Sequence, residues 1–233
     1  MALILWQISL MSEQRVVLGG ASGLIKWRHY VKNCLGFLAL GASLAFAAPL
    51  RAQDAAWRID PNHSAAHFSV RHLMISTVRG EFSGVNGTVR YDPKRPAEAS
   101  VEATIDCRTL NTGVAKRDEQ MKGPDFFDVQ RYPSMKFTSK RVQAAGKGKL
   151  KITGDLTINA ITRQVVLDVE GPSPPVKDAQ GREKIGLSAA TRINRKDFAI
   201  TWNEILESGG VAVADEVSIS LDIELIRLTA GQN

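Results

Sequence analysis

The chain has 233 residues, 44% hydrophobic and 23% charged, a balance that excludes a disordered protein and allows one domain with extra segments. Much of its formal charge of +6 sits in the first fifty residues. Removing Arg15, Lys26, Arg28 and Lys32 against Glu13 brings it to +3, too little to argue for nucleic acid as a partner.

Residues 1–25 carry no pattern and read as a start placed too early or a long lead-in. Lys26, Arg28 and Lys32 then precede an uncharged run, Leu35 to Phe46, that ends in Ala45-Phe46-Ala47. That is the layout of a secretory signal peptide over residues 26–47, with a second possible cut after Ala52. The apolar run is about a dozen residues, short of the ~20 a spanning helix needs. Cleavage near Ala47 and a periplasmic or secreted protein without a membrane span are therefore expected. Cys34 lies inside this leader and lacks a small-residue lipobox before it. Cys107 is then alone, so the mature chain has no internal disulfide and rests on its core.

After a short linker at 48–56, the dominant period is two. Val101, Ala103 and Ile105 alternate with Glu102, Thr104 and Asp106. Leu150, Ile152, Leu156 and Ile158 alternate with Lys149, Lys151, Asp155 and Thr157; Val165, Leu167 and Val169 share a face. Val217, Ile219, Leu221, Ile223 and Leu225 alternate with Ser218, Ser220, Asp222 and Glu224. Neighbouring side chains of a strand point to opposite faces, so this pattern predicts antiparallel strands with one face in water. Strands are expected near 64–72, 77–82, 85–91, 99–107, 134–142, 148–158, 163–170, 184–194 and 216–227, with one of the first two a bent extension. A long loop runs from Gly171 to about Arg182. Val114 to Met121 does not alternate and predicts a short helix, with Thr112 as its N-cap and Gly123-Pro124 as its stop. Phe126 and Phe127 follow, placed to cover one end of a barrel.

The fold class is thus all-β: an extended, antiparallel, lipocalin-like barrel of about eight strands with a short helix near one end. Eight strands enclose room for side chains or one small ligand. An outer-membrane barrel would also alternate, with its apolar face outward. Recurrent lysines and carboxylates on the polar faces, 6% aromatics and a chain end without an aromatic (Leu228 to Asn233, of which 229–233 is a tail) argue against it.

Chemistry-bearing patterns are sparse. His63 and His67 would lie ~13 Å apart on one strand face, too far for one ion, and His72 on the other face. No Cys pair or carboxylate is seen to complete a ligand set, and hydrogen-bonded structural histidines are expected. G-x-S-x-G, H-E-x-x-H, P-loop and Cys-x-x-Cys motifs are all missing. Asp118 and Glu119 beside Arg117, with Asp125 and Asp128, read as a solvated cluster rather than an acid–base pair. Lys116 and Arg117 would stand at the barrel mouth, as head-group ligands or, for Arg117, in an ion pair with a nearby carboxylate.

An ordered set of short motifs carries a resemblance. Trp57-Arg58-Ile59-Asp60, His63-Ser64, Phe68 to His72 and Val78 to Phe82 come first. Thr112-Gly113, Arg117-Asp118, Asp125 to Asp128 and Tyr132-Pro133 follow, then Gly154 to Ile158 with Thr162-Arg163, then Ile193 to Phe198. From Trp57 to about Leu228 the chain resembles the YceI-like family. The resemblance implies an exported, non-enzymatic, lipocalin-like protein without cofactor or metal. It would hold a long isoprenoid or related lipid in an internal tunnel, often as a homodimer, and some members are linked to isoprenoid quinones or stress. Two departures stand out: Gln120 where the family commonly has His, and Ala160 where the hairpin has Gly.

The expected ligand-binding set is Phe68, Phe82, Ile105, Phe137, Ile152, Leu156, Leu167, Leu221 and Ile223 along the tunnel, with Phe126 and Phe127 gating or flooring it. Burying some forty carbons at ~0.8 kcal/mol each exceeds the ~20 kcal/mol at which affinities saturate, so the tail alone can drive binding. The rival readings are an enzyme acting on a small hydrophobic substrate in the same pocket and a stress-protective module with a solid core.

Overall fold

The computed structural model describes residues 56–206 and 210–229. The lead-in at 1–25, the expected leader at 26–47 with Cys34, and the tail from residue 230 lie outside the described residues. Twelve strands follow in chain order: β1 (Ala56–Ile59), β2 (Ala65–His72), β3 (Ser76–Phe82), β4 (Val85–Arg90), β5 (Ser100–Asp106), β6 (Leu110–Asn111), β7 (Ser134–Ala144), β8 (Lys149–Ile158), β9 (Ile161–Glu170), β10 (Val176–Lys177), β11 (Glu183–Asn194) and β12 (Val213–Arg227). One α-helix, α1 (Ala115–Lys122), is present among the described residues. No helix among them is long and apolar enough to cross a membrane.

Antiparallel pairing runs β11–β9–β8–β7–β5–β4–β1–β12, and β12 pairs back to β11, closing an eight-membered ring. The chain passes up and down around this ring. β1 and β2 act as one bent stave: β12 pairs with β1 at Leu225–Arg227 and with β2 at Val213–Asp222. β3 and β4, and β5 and β6, continue each other in the same way. The bend between β1 and β2 lies at Asp60–Ser64, where Asp60 N donates to Glu224 O. Bending lets a stave follow the barrel's curvature without losing backbone hydrogen bonds.

Register follows from the alternation. In the β8–β9 ladder, Ile152 faces Leu167 and Leu150 faces Val169 on the inner side. On the outer side Lys149 meets Glu170 at 2.9 Å and Lys151 meets Asp168 at 2.6 Å. Such exposed pairs contribute little energy, but a one-residue slip would turn every apolar side chain outward. β9 and β11 share only three pairs, Ser188↔Glu170 to Ala190↔Asp168. Beyond them the two strands splay, and a 3-10 turn, Arg195–Phe198, packs at that seam.

The predicted strands agree with the structure to within three residues at each boundary. β1, β6 and β10 are additional; β1 was read as linker and motif because four residues are too short to show a period. The helix is found one residue later than expected, and Thr112 is not its cap. Val114 occupies the N-cap position and makes no side-chain cap bond. Asp118 instead reaches back, its Oδ1 accepting from Thr112 N at 2.8 Å and from Thr112 Oγ1 at 2.5 Å. A charged acceptor in the first turn satisfies the incoming chain better than a hydroxyl would.

Candidate functional site

The inner faces of the staves do not meet. They line a cavity of about 230 Å³ whose surface is almost wholly apolar. Along β12 the lining runs from Val213 to Leu225, twelve steps of ~3.3 Å, or about 40 Å of strand. A strand tilt of roughly 40° leaves about 30 Å along the barrel axis. So small a volume over that length is a narrow bore, not a bowl.

Phe68, Phe82, Ile105, Phe126, Phe127, Phe137, Ile152, Leu156, Leu167, Leu221 and Ile223 all line this bore. Period two was enough to find the strand residues. The reading missed Met121, Met135, Tyr91, Leu187 and Phe198, which also line it. Leu187 continues the alternation of Ile185 and Ala189, Met135 that of Phe137 and Tyr91 that of Val89, so these three were legible; Met121 and Phe198 come from a helix and a 3-10 turn where period two gives no signal.

One end is closed by aromatics. Phe82 packs edge-on against Phe127 with ring centres 5.3 Å apart, and Phe68 lies 5.8 Å from Phe82. Phe126 packs at a tilt against Trp202 with ring centres 5.4 Å apart. The β8–β9 hairpin holds this plug, because Asn159 Nδ2 donates to Phe126 O at 2.7 Å. Asn159 and Ala160 both take left-handed backbone there, at φ 49° and 60°. Ala160 thus fills the place of the expected glycine in the conformation glycine would have taken, at a cost of about 1 kcal/mol. Gln120, the other departure, is exposed on α1 and does not line the bore.

Lys116 and Arg117, expected to face a head group, do not line the bore. Lys116 is exposed. Arg117 makes no ion pair with a carboxylate among the described residues; its Nε donates to Thr112 Oγ1 at 2.8 Å and its Nη2 to Thr112 O at 2.9 Å. The helix start consumes this guanidinium because Thr112 offers it both its hydroxyl and its carbonyl oxygen. Of the cations at the wall, Lys136 is exposed and Arg195 is buried, 4% exposed. It donates to Ala214 O (3.0 Å), Ile200 O (2.8 Å), Trp202 O (2.7 Å), Val213 O (3.3 Å) and Asp215 Oδ1 (3.5 Å). Burial pushes its pKa down and Asp215 opposes that. With every N–H engaged, it clips Ile200 and Trp202 onto the start of β12. No buried side-chain nitrogen or oxygen among the described residues lacks a hydrogen-bond partner.

The histidines are placed differently from the expectation. His63 lies in the turn before β2, not on a strand, and carboxylates do join it: ligand atoms of Asp60, His63 and Glu224 fall within 4.8 Å of one another. Folding brings Glu224 there across the β1–β12 pairing, which sequence spacing cannot show. The Lys184 ammonium stands among them, 3.2 Å from Asp60 Oδ2 and 2.6 Å from Glu224 Oε1. It supplies the positive charge that an ion would bring. Burial alone would raise the Asp60 carboxyl; His63, the Asn62 amide and Lys184 outweigh it and hold it at about 2. His67 faces Glu81 and Asp222, each at 3.5 Å, in a separate cluster.

Comparison with known proteins agrees with this geometry. Residues 57–225 match the YceI-like domain. A UPF0312 protein of Vibrio parahaemolyticus is 34% identical over 70% of this chain and 86% of its own. Another, from Photorhabdus laumondii, is 36% identical over 70% and 81%. Among solved structures, the Campylobacter jejuni YCEI protein superposes with a TM-score of 0.56 at 31% identity, covering 68% of this chain and 90% of that one. Burkholderia cenocepacia BcnA gives 0.61 at 25% identity over 71% and 98%. A polyisoprenoid binding domain from Saccharophagus degradans shares the fold, with a TM-score of 0.54 at 15% identity over 75% and 99%. The barrel from Trp57 to Leu225 therefore belongs to the YceI-like family.

Proposed function

We propose that this protein binds and carries, or stores, a long-chain polyisoprenoid-type lipid, such as an isoprenoid quinone or a related amphiphile, in the periplasm or outside the cell. The observation that carries this reading is the narrow apolar bore of about 30 Å, walled by every second residue of the staves. One leaflet of a bilayer is only ~15 Å deep, so the bore suits a chain longer than an ordinary acyl tail. A neighbour of the same fold is a polyisoprenoid binding domain, which accords with such a ligand.

The enzyme reading has less support. It needs a polar dyad facing the bore, whereas the buried cation at the wall, Arg195, spends its donors on backbone carbonyls and Asp215. A solid-core protective module is disfavoured by the bore itself. Selection should act on tail length and shape, since apolar burial dominates and the buried cation at the wall, Arg195, has its donors engaged.

Mass spectrometry of organic extracts from the purified exported protein tests the proposal. A stoichiometric polyprenyl lipid is expected. Protein that is lipid-free as purified and takes up no polyprenyl compound from detergent or vesicles would sink it.

A further inference from the structure

Two loop tips at one end of the barrel expose large apolar side chains. The β2–β3 turn, Leu73-Met74-Ile75, leaves Met74 60% and Ile75 79% exposed. Beside it Ile205 and Val211, joined by an isolated antiparallel bridge, are 84% and 38% exposed. The tips are neighbours: Leu73 N donates to Ala212 O at 2.7 Å, and His72 pairs with Val213. Leu73 and Met74 hold left-handed backbone at φ 50° and 59°, a conformation that turns normally give to Gly, Asn or Asp. Neither folding nor solubility asks for apolar residues in strained, exposed positions.

Directly behind the tips, Val70 and Val213 line the bore. Arg71 stands at the rim, its Nη2 donating to Met74 O at 2.7 Å, and forms no ion pair with a carboxylate among the described residues. The second loop carries Glu204 and Glu207 against Arg71, so the rim has no excess of positive charge and the grip is mainly apolar.

We propose that the barrel docks reversibly on a lipid bilayer through Met74, Ile75 and Ile205, so that the end of the bore closed by the aromatic plug of Phe126 and Trp202 faces the membrane. The role of this docking rests on the lipid reading of the bore; its evidence does not. A second copy of the chain fits less well. On the usual area scale the three side chains supply roughly 300 Å², well under the ~800 Å² per partner of a stable interface. For a bilayer the same area suffices for a weak grip, comparable to the K of about 10⁴ M⁻¹ of a single myristoyl chain.

The test is co-sedimentation of the purified protein with phosphatidylcholine vesicles, with and without phosphatidylglycerol, alongside extraction of bound lipid from the same samples. The parent protein should sediment with both vesicles, and Met74→Ser/Ile75→Ser/Ile205→Ser should lose about 100-fold in partition. Met74→Gly separates docking from folding: it relaxes the turn, so melting temperature should rise while vesicle binding falls. A parent that stays in the supernatant, or variants that sediment as well as it does, overturn the proposal. So does loss of a parent dimer in these variants without any vesicle binding, which would assign the tips to a second copy. A lipid-free barrel that still binds vesicles keeps the docking surface and removes the carrier reading. A lipid-loaded barrel that never sediments does the reverse.

Discussion

The ring of Phe68 occupies the space a side chain on Gly80 would take: a Cβ on Gly80 would stand 2.4 Å from Phe68 Cζ. The two residues are cross-strand partners on β2 and β3. Gly154 on β8 meets Phe137 on β7 as a diagonal neighbour, Ser139 being its register partner, and there too a Cβ would stand 2.5 Å from the ring. Each ring lies flat over a bare backbone and leaves the bore free, although both are large enough to block it.

Gly80→Ala should therefore push the Phe68 ring into the bore. We expect a destabilisation of about 1–3 kcal/mol from overpacking and a several-fold drop in bound lipid. Urea unfolding and quantified extracts measure the two. Adding Phe68→Leu to the variant should restore lipid. Unchanged lipid content in Gly80→Ala would show that the ring does not guard the bore.

Leu221 lies on the inner face, paired with Ala189 on β11 and Ala66 on β2. Leu221→Lys places an ammonium opposite small apolar partners, where it has no hydrogen-bond acceptor. Lipid should vanish from extracts while circular dichroism keeps the β-sheet signal. Leu221→Met, which nearly conserves volume, should keep the lipid. Equal lipid in Leu221→Lys and the parent would mean that the ligand sits elsewhere.

The barrel and its wall were legible because both follow from one signal, the alternation of apolar and polar residues over long strands. Ile152, Leu156 and Leu221 could be assigned to the interior without knowing any partner strand. The Asp60 cluster could not, because Glu224 and Lys184 reach it only through the β1–β12 and β11–β12 pairings. Arg117 was misread for a related reason: its partners are the hydroxyl and the carbonyl of Thr112, and the turn that brings them to it leaves no mark in a sequence. Met74 and Ile75 fall between the expected strands 64–72 and 77–82, but their apolar character gives no sign that the turn leaves them exposed.

The Asp60 cluster sets an acid limit. The Asp60 carboxyl falls from an ordinary 3.8 to about 2 in the folded protein, so folding is favoured by the ionised form. That contribution is fully present above 3.8 and is lost as pH falls towards 2. It is on the order of 1 kcal/mol once solvent screening at the half-exposed His63 is allowed for. Melting temperature followed from pH 5 to pH 2 should drop in the parent. Asp60→Asn should be less stable at pH 7 and show a shallower acid limb. Identical acid limbs would place the linkage on other carboxylates.

Arg195 offers the sharpest stability test, because it is buried and its acceptors are mostly backbone. Ile200, Trp202, Val213 and Ala214 each give it a carbonyl oxygen. Arg195→Met removes these donors at once; Val213 O keeps Asn203 Nδ2 at 2.7 Å, but the Ile200, Trp202 and Ala214 carbonyls are left in an apolar wall, where each unmet group costs about 1–3 kcal/mol and water can reach only some. A total loss of roughly 3–5 kcal/mol is expected, concentrated in the 199–214 segment. Arg195→Lys should recover little, since one ammonium cannot reach acceptors arranged for a planar fork. Hydrogen exchange across residues 199–214 reads the local effect and urea unfolding the global one. A variant as stable as the parent would mean that this segment holds itself in place, and that Arg195 owes its position at the bore to the ligand rather than to the fold.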